Sequence, residues 1–138
     1  MNTRKTLTTA LLVGLSLPAA AHEAPADKDV PSADVLKLLF DRTPIQPSKV
    51  FDNLYVFGSK SVVAYAINTP DGIILIDALW DENDGKTIVQ DLQKLGLDAK
   101  NIRYILISHG HGDHFGGAAY LREYSGAKVL VSKADEAL

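Results

Sequence analysis

The chain has 138 residues, enough for one domain, and its 46% hydrophobic and 22% charged residues are ordinary for a globular protein. A net charge of −3 with no basic patch argues against a nucleic-acid partner. The absence of cysteine removes disulfides, thiolate metal ligands and a cysteine nucleophile.

Taken in order, the chain opens with Arg4 and Lys5 before an uncharged, mostly apolar run from Leu7 to Leu17. Pro18 then precedes Ala19-Ala20-Ala21, a small-residue cleavage signature. Residues 1–21 are therefore expected to be a secretory signal cleaved after Ala21, making the mature protein periplasmic or secreted. The run falls short of the about 20 apolar residues a membrane span needs, so no membrane association is expected after cleavage. Residues 22–45 read as a flexible mature N-terminus, with His22 solvated and a short helix over 33–40 opening at Ser32. Pro44 and Pro47 then impose extended backbone on the residues before them.

Three strands are expected next, over residues 50–57, 61–67 and 73–77, as an antiparallel meander. Asn68-Thr69-Pro70-Asp71-Gly72 carries turn residues in the right order to close its second hairpin. A helix follows from the polar stretch 81–85, with Ile88, Val89, Leu92 and Leu95 on one face. Gly96 is placed for a left-handed C-terminal cap. A strand over 102–107, a helix over 116–124, a strand over 128–131 and a further helix capped by Ser132 complete the pattern. A meander followed by alternating helix and strand is an α/β layer architecture.

The chemistry concentrates in Ser108-His109-Gly110-His111-Gly112-Asp113-His114-Phe115-Gly116-Gly117, which holds three of the four histidines. Two histidines two residues apart on extended chain place both rings on one side. Glycine after His111 permits a tight turn, which brings Asp113 and His114 to bear on a neighbouring position. Imidazole with carboxylate suits zinc, iron or nickel. Taken singly, Asp113 also fits a helix N-cap, and Asp77 a strand-end residue capping a turn. Phe115 and Trp80 are candidates for a pocket wall or for the core.

His109-x-His111-x-Asp113-His114 matches the HxHxDH signature of the metallo-β-lactamase superfamily. The resemblance extends to residues 53–57, Thr69-Pro70-Asp71-Gly72, Ile74-Leu75-Ile76-Asp77 and residues 105–117. It is most like the third, all-histidine subclass of metallo-β-lactamases. It implies an α/β fold, the first half of the four-layer αββα sandwich, over residues 46–138. It implies two zinc ions, the first held by His109 and His111 and the second by Asp113 and His114. Asp113 would also orient the hydroxide, and Asp77 would support the metal loop from behind the ligands. The implied activity is hydrolysis of a small molecule, a β-lactam or a related cyclic amide or ester, by a metal-bound hydroxide. Lactone or thioester hydrolysis, iron-dependent dioxygenation and a non-catalytic binding remnant are the alternatives. In the family each zinc normally takes a further histidine from the second half, and none follows His114 here. The chain is therefore expected to be a partial sequence that, alone, binds zinc weakly and hydrolyses nothing efficiently.

Overall fold

The computed structural model describes residues 30–136, so the expected signal segment and His22 lie outside it. Helix α1 (Ala33–Leu39) opens at Ser32, whose hydroxyl accepts from the Val35 N–H, and it buries none of its side chains. The chain then runs beside residues 58–61: Ser61 N–H donates to the Asp41 carbonyl, Lys60 N–H to Thr43, and Ile45 N–H to Gly58.

One six-stranded sheet follows, in the order β1 to β6: Ser48–Lys49, Leu54–Gly58, Val63–Thr69, Gly72–Ile76, Ile102–Leu106 and Lys128–Leu130. The first four strands form an antiparallel meander, the expected three preceded by an unexpected β1, and β4, β5 and β6 are parallel. Two strands start later than expected, each because of turn chemistry. The expected 50–57 strand starts at Leu54, since Val50 and Phe51 both donate to the Leu54 carbonyl across Asp52-Asn53, a pair of turn formers. The expected 61–67 strand starts at Val63 instead, because the Ser59 hydroxyl engages both the N–H and the carbonyl of Val62 and lengthens the turn. Pro70-Asp71 closes the next hairpin, with Thr69 paired to Gly72.

Helix α2 (Glu82–Lys94) is capped at both ends. The Asp81 carboxylate accepts from the N–H groups of Asn83 and Asp84. Gly96, at φ +77°, lets Leu97 N–H reach Leu92 and its own N–H reach Gln93, the paired bonds of a Schellman motif. The helix expected over 116–124 is α4 (Ala118–Ser125), and an unexpected short helix, α3 (Gly112–Phe115), precedes it. The expected helix at Ser132 is a hydrogen-bonded turn over residues 133–136.

Strand register sorts the side chains into rows. Tyr55, Ala66, Leu75, Ile105 and Val129 share the face covered by α2 and α4. Leu75 and Ile105 are fully buried there with Ile88 and Leu92 of α2, each worth roughly 1.5–3 kcal/mol of transfer free energy. Val56, Tyr65, Ile76, Leu106 and Leu130 form a row on the opposite face, also apolar but more open to solvent.

Candidate metal centre

The parallel strands β4, β5 and β6 all end on one side of the sheet, where ligand sites of open α/β sheets gather. Asp77 follows β4 directly, and Ser108-His109 follows β5. Asp77 is 6% exposed and sits at φ +64°, in the left-handed region that aspartate tolerates better than most residues. Its N–H donates to the Leu106 carbonyl, which fixes the start of the loop against β5.

The Asp77 carboxylate has three partners. Oδ1 accepts from the Ser108 N–H at 2.7 Å, and Oδ2 accepts from Ser108 Oγ at 2.9 Å and from His114 Nδ1 at 2.9 Å. Those bonds settle the protons around them. His114 donates Nδ1–H to the carboxylate, so Nε2 keeps its lone pair. The single Ser108 hydroxyl proton is used on Asp77, so Ser108 Oγ accepts from His109 Nδ1 at 3.0 Å and leaves His109 Nε2 with its lone pair. One buried carboxylate thus orients two imidazoles.

The donors gather in two pairs. His109 Nε2 lies 3.1 Å from His111 Nδ1, and His114 Nε2 lies 3.5 Å from Asp113 Oδ2. Tetrahedral zinc with nitrogen and oxygen ligands sets a ligand-to-ligand edge of about 3.3 Å. Both spacings fit that edge, and the donor chemistry fits zinc. Among the described residues no group of three His, Asp or Glu side chains stands around one ion position. Each pair offers two donors, whereas a catalytic zinc takes three protein ligands.

Asp113 is not the N-cap of α3. His111 occupies that position, and Asp113 lies in the first turn with its carboxylate beside His114. Backbone contacts hold the loop's far end. Ala78 N–H donates to the His114 carbonyl at 2.7 Å, and Gly116 N–H to the Leu79 carbonyl at 2.8 Å. A Cβ on Gly116 would stand 1.9 Å from the Trp80 carbonyl oxygen, and one on Gly117 2.4 Å from that of Ala78. These two glycines permit the close approach, and α4 starts only after them.

Phe115 is 46% exposed and lines a cavity of about 460 Å³ with Gly110, Arg122 and Asp135. Trp80 belongs elsewhere. Its ring lies 5.6 Å from that of Phe40 and 5.6 Å from the Arg42 guanidinium, beside a separate cavity of about 60 Å³. Reading the sequence alone missed Ser108 as a partner of the cluster, although a hydroxyl directly preceding His109 was an available signal.

The chain is similar to proteins of known family. A family model described as the metallo-beta-lactamase superfamily matches residues 58–138. A UPF0173 metal-dependent hydrolase of Thermodesulfovibrio yellowstonii is 31% identical over 85 residues, 55% of this chain and 29% of the relative. A hydroxyacylglutathione hydrolase of Albidiferax ferrireducens is 43% identical over 50 residues, 36% of this chain and 18% of the relative. The crystal structure of a subclass B3 metallo-beta-lactamase of Bradyrhizobium japonicum superposes with a TM-score of 0.67 at 31% identity, covering 75% of this chain and 38% of that one. The matched part thus spans well under half the length of each of these proteins.

Proposed function

Because the chain belongs to the metallo-β-lactamase superfamily, we propose that it supplies the N-terminal donors of a two-zinc hydrolase. His109 and His111 hold one ion, and Asp113 and His114 the other. The observation that carries this reading is the pair of donor spacings, 3.1 Å and 3.5 Å, governed by one buried carboxylate. When bound, such ions supply Lewis acidity and an activated water. The chain's own residues do the rest. Asp77 holds the Nδ1 proton of His114 directly and that of His109 through Ser108, so both rings present Nε2. Asp113 turns Oδ2 toward His114 and leaves Oδ1 to accept a hydrogen bond from the attacking water.

The leading substrate is a β-lactam, a strained cyclic amide. The B3 structural neighbour supports this, as does the all-histidine HxHxDH loop. Thioester or lactone hydrolysis is the second reading, favoured by the 43% identity to the hydroxyacylglutathione hydrolase. Residues 1–21 direct export, and N-terminal sequencing of protein recovered from the periplasm should begin at His22.

Zinc titration against a chromophoric chelator tests the metal reading: the chain should bind, and His109→Ala and His114→Ala should each weaken binding. Equal affinity in wild type and both variants would sink it. With two donors per ion, this 138-residue chain should turn over cephalosporin, penem, lactone and thioester substrates only at background. A protein carrying this sequence with further histidine donors should hydrolyse the β-lactams. Preference for the thioester would favour the second reading.

A further inference from the structure

The chain leaves β4 through two left-handed residues. Asp77 and Leu79 stand at φ +64° and +60°, on either side of Ala78. Aspartate tolerates that region, but leucine there is an outlier, because its Cβ crowds the following carbonyl. Such conformations persist only where the surroundings enforce them. The Leu79 side chain is 3% exposed and packs into the core. Gly58 leaves room for it: a Cβ there would stand 3.2 Å from Leu79 Cδ2. The backbone of the same segment meets the far end of the metal loop. Ala78 N–H donates to the His114 carbonyl at 2.7 Å, and the Ala78 and Leu79 carbonyls accept from the Gly117 and Gly116 N–H groups at 3.1 Å and 2.8 Å. Extended, pleated chain turns consecutive carbonyls to opposite sides. Here both reach neighbouring residues of one segment, and the left-handed Leu79 turns the second one round.

The Asp77 side chain holds the metal loop at Ser108 and at the His114 ring. The bonds from Ala78 and Leu79 are a separate hold, on backbone alone, and they close α3 at Gly116. We infer that Leu79 is a positioning residue for the second donor pair, Asp113 and His114: its side chain, anchored in the core, enforces a left-handed backbone whose carbonyl fixes the end of the short helix carrying both donors. This inference rests on the metal reading above. The side chain supplies the anchor and the backbone supplies the aim. Substitution separates the two, because glycine takes the left-handed conformation without an anchor.

The test uses the purified 138-residue chain and the variants Leu79→Ala, Leu79→Gly and Leu79→Met, with circular dichroism confirming that each is folded. Three readouts are taken: zinc affinity by chelator competition, the visible spectrum of the cobalt-loaded protein, and exchange of the Gly116 amide in the metal-free chain. Leu79→Ala loses the anchor and keeps the steric bias against a left-handed backbone. It should lose about tenfold in affinity, with an altered cobalt spectrum and faster exchange. Leu79→Gly loses the same anchor but adopts the conformation freely, so all three readouts should return toward wild type. Leu79→Met keeps an apolar anchor of similar volume and should match wild type. A residue that only filled the core would give the opposite order, because glycine leaves the larger cavity. That order, or a Leu79→Ala variant unchanged in affinity and exchange, would overturn the inference. Should the alanine and glycine variants both fail to fold, wild type decides: protected Gly116 and Gly117 amides in the metal-free chain support the hold, and unprotected ones overturn it. A wild-type chain that takes no metal overturns the metal reading instead, and the order of Gly116 exchange among the variants then decides the role of Leu79 by itself.

Discussion

Asp77 shows how much a single residue can organise. Its side chain reaches the backbone and hydroxyl of Ser108 and the ring of His114, three contacts across more than thirty positions of sequence. Asp77→Asn is the sharpest probe. Asparagine tolerates the left-handed backbone, but its NH₂ would face His114 Nδ1 and drive the proton to Nε2, which removes the lone pair an ion needs. The variant should stay folded and lose 10–100-fold in zinc affinity, as chelator competition would read. No loss would mean that the tautomer does not matter. The glycines of the loop separate by a different criterion. Gly116→Ala, with its Cβ driven into the Trp80 carbonyl, should cost about 3 kcal/mol or more in urea unfolding. Gly112→Ala meets nothing within 4 Å and should be neutral or stabilise by up to about 1 kcal/mol. Both glycines stand in the same motif, and sequence alone ranks them equally.

Among the elements, α2 follows its sequence most closely, because its signals are local: an apolar stripe, Asp81 before it and Gly96 after it. Tertiary structure added Arg42, which donates to Asp81 and Asp84 at 2.7 Å each and ties the N-terminal arm to the start of the helix. Arg42 first, and then the Asp84 N–H, hold the Asp81 carboxyl below its usual range. A depressed folded pKa gives stability that is full above the unfolded value, about 3.9, and is lost as pH falls through the folded value. Asp81→Asn keeps a capping oxygen and removes the charge. It should flatten the loss of stability below about pH 4, measured by urea unfolding at several pH values, by no more than the about 1 kcal/mol of an exposed pair. An unchanged acid slope would show that the pairing with Arg42 contributes nothing. The strand boundaries were less legible than α2. Asp52-Asn53 and Ser59 engage the backbone through particular hydrogen bonds, and composition does not reveal which residue of a polar turn does so. The late start of α4 was hidden for a stronger reason: the Gly116 and Gly117 N–H groups bond the Leu79 and Ala78 carbonyls, remote in sequence.

In the molecule as a whole, both faces of one sheet are apolar, but they are used differently. Ile105 is fully buried under the helices, and Ile105→Ala should cost roughly 2–5 kcal/mol. Leu130, on the opposite face, is 45% exposed, and Leu130→Lys should change stability by no more than about 0.5 kcal/mol. Chemical denaturation of the two variants compares the faces directly. A large loss from Leu130→Lys would mean that the second row packs as tightly as the first. That row explains why β4 reads as a continuous apolar run rather than an alternating one.

The sequence by itself determined the hairpin at Thr69–Gly72, the Gly96 cap of α2 and the class of fold, and it supplied the candidate donors. Each of these is written in residues close together along the chain, where spacing and side-chain chemistry suffice. Only the tertiary structure decided which imidazole nitrogens are left open, that Asp77 and Ser108 set those tautomers, and that Gly116 can bear no side chain. Those depend on parallel strands bringing three loops to one edge of the sheet. The register that aligns them is set by packing between distant segments.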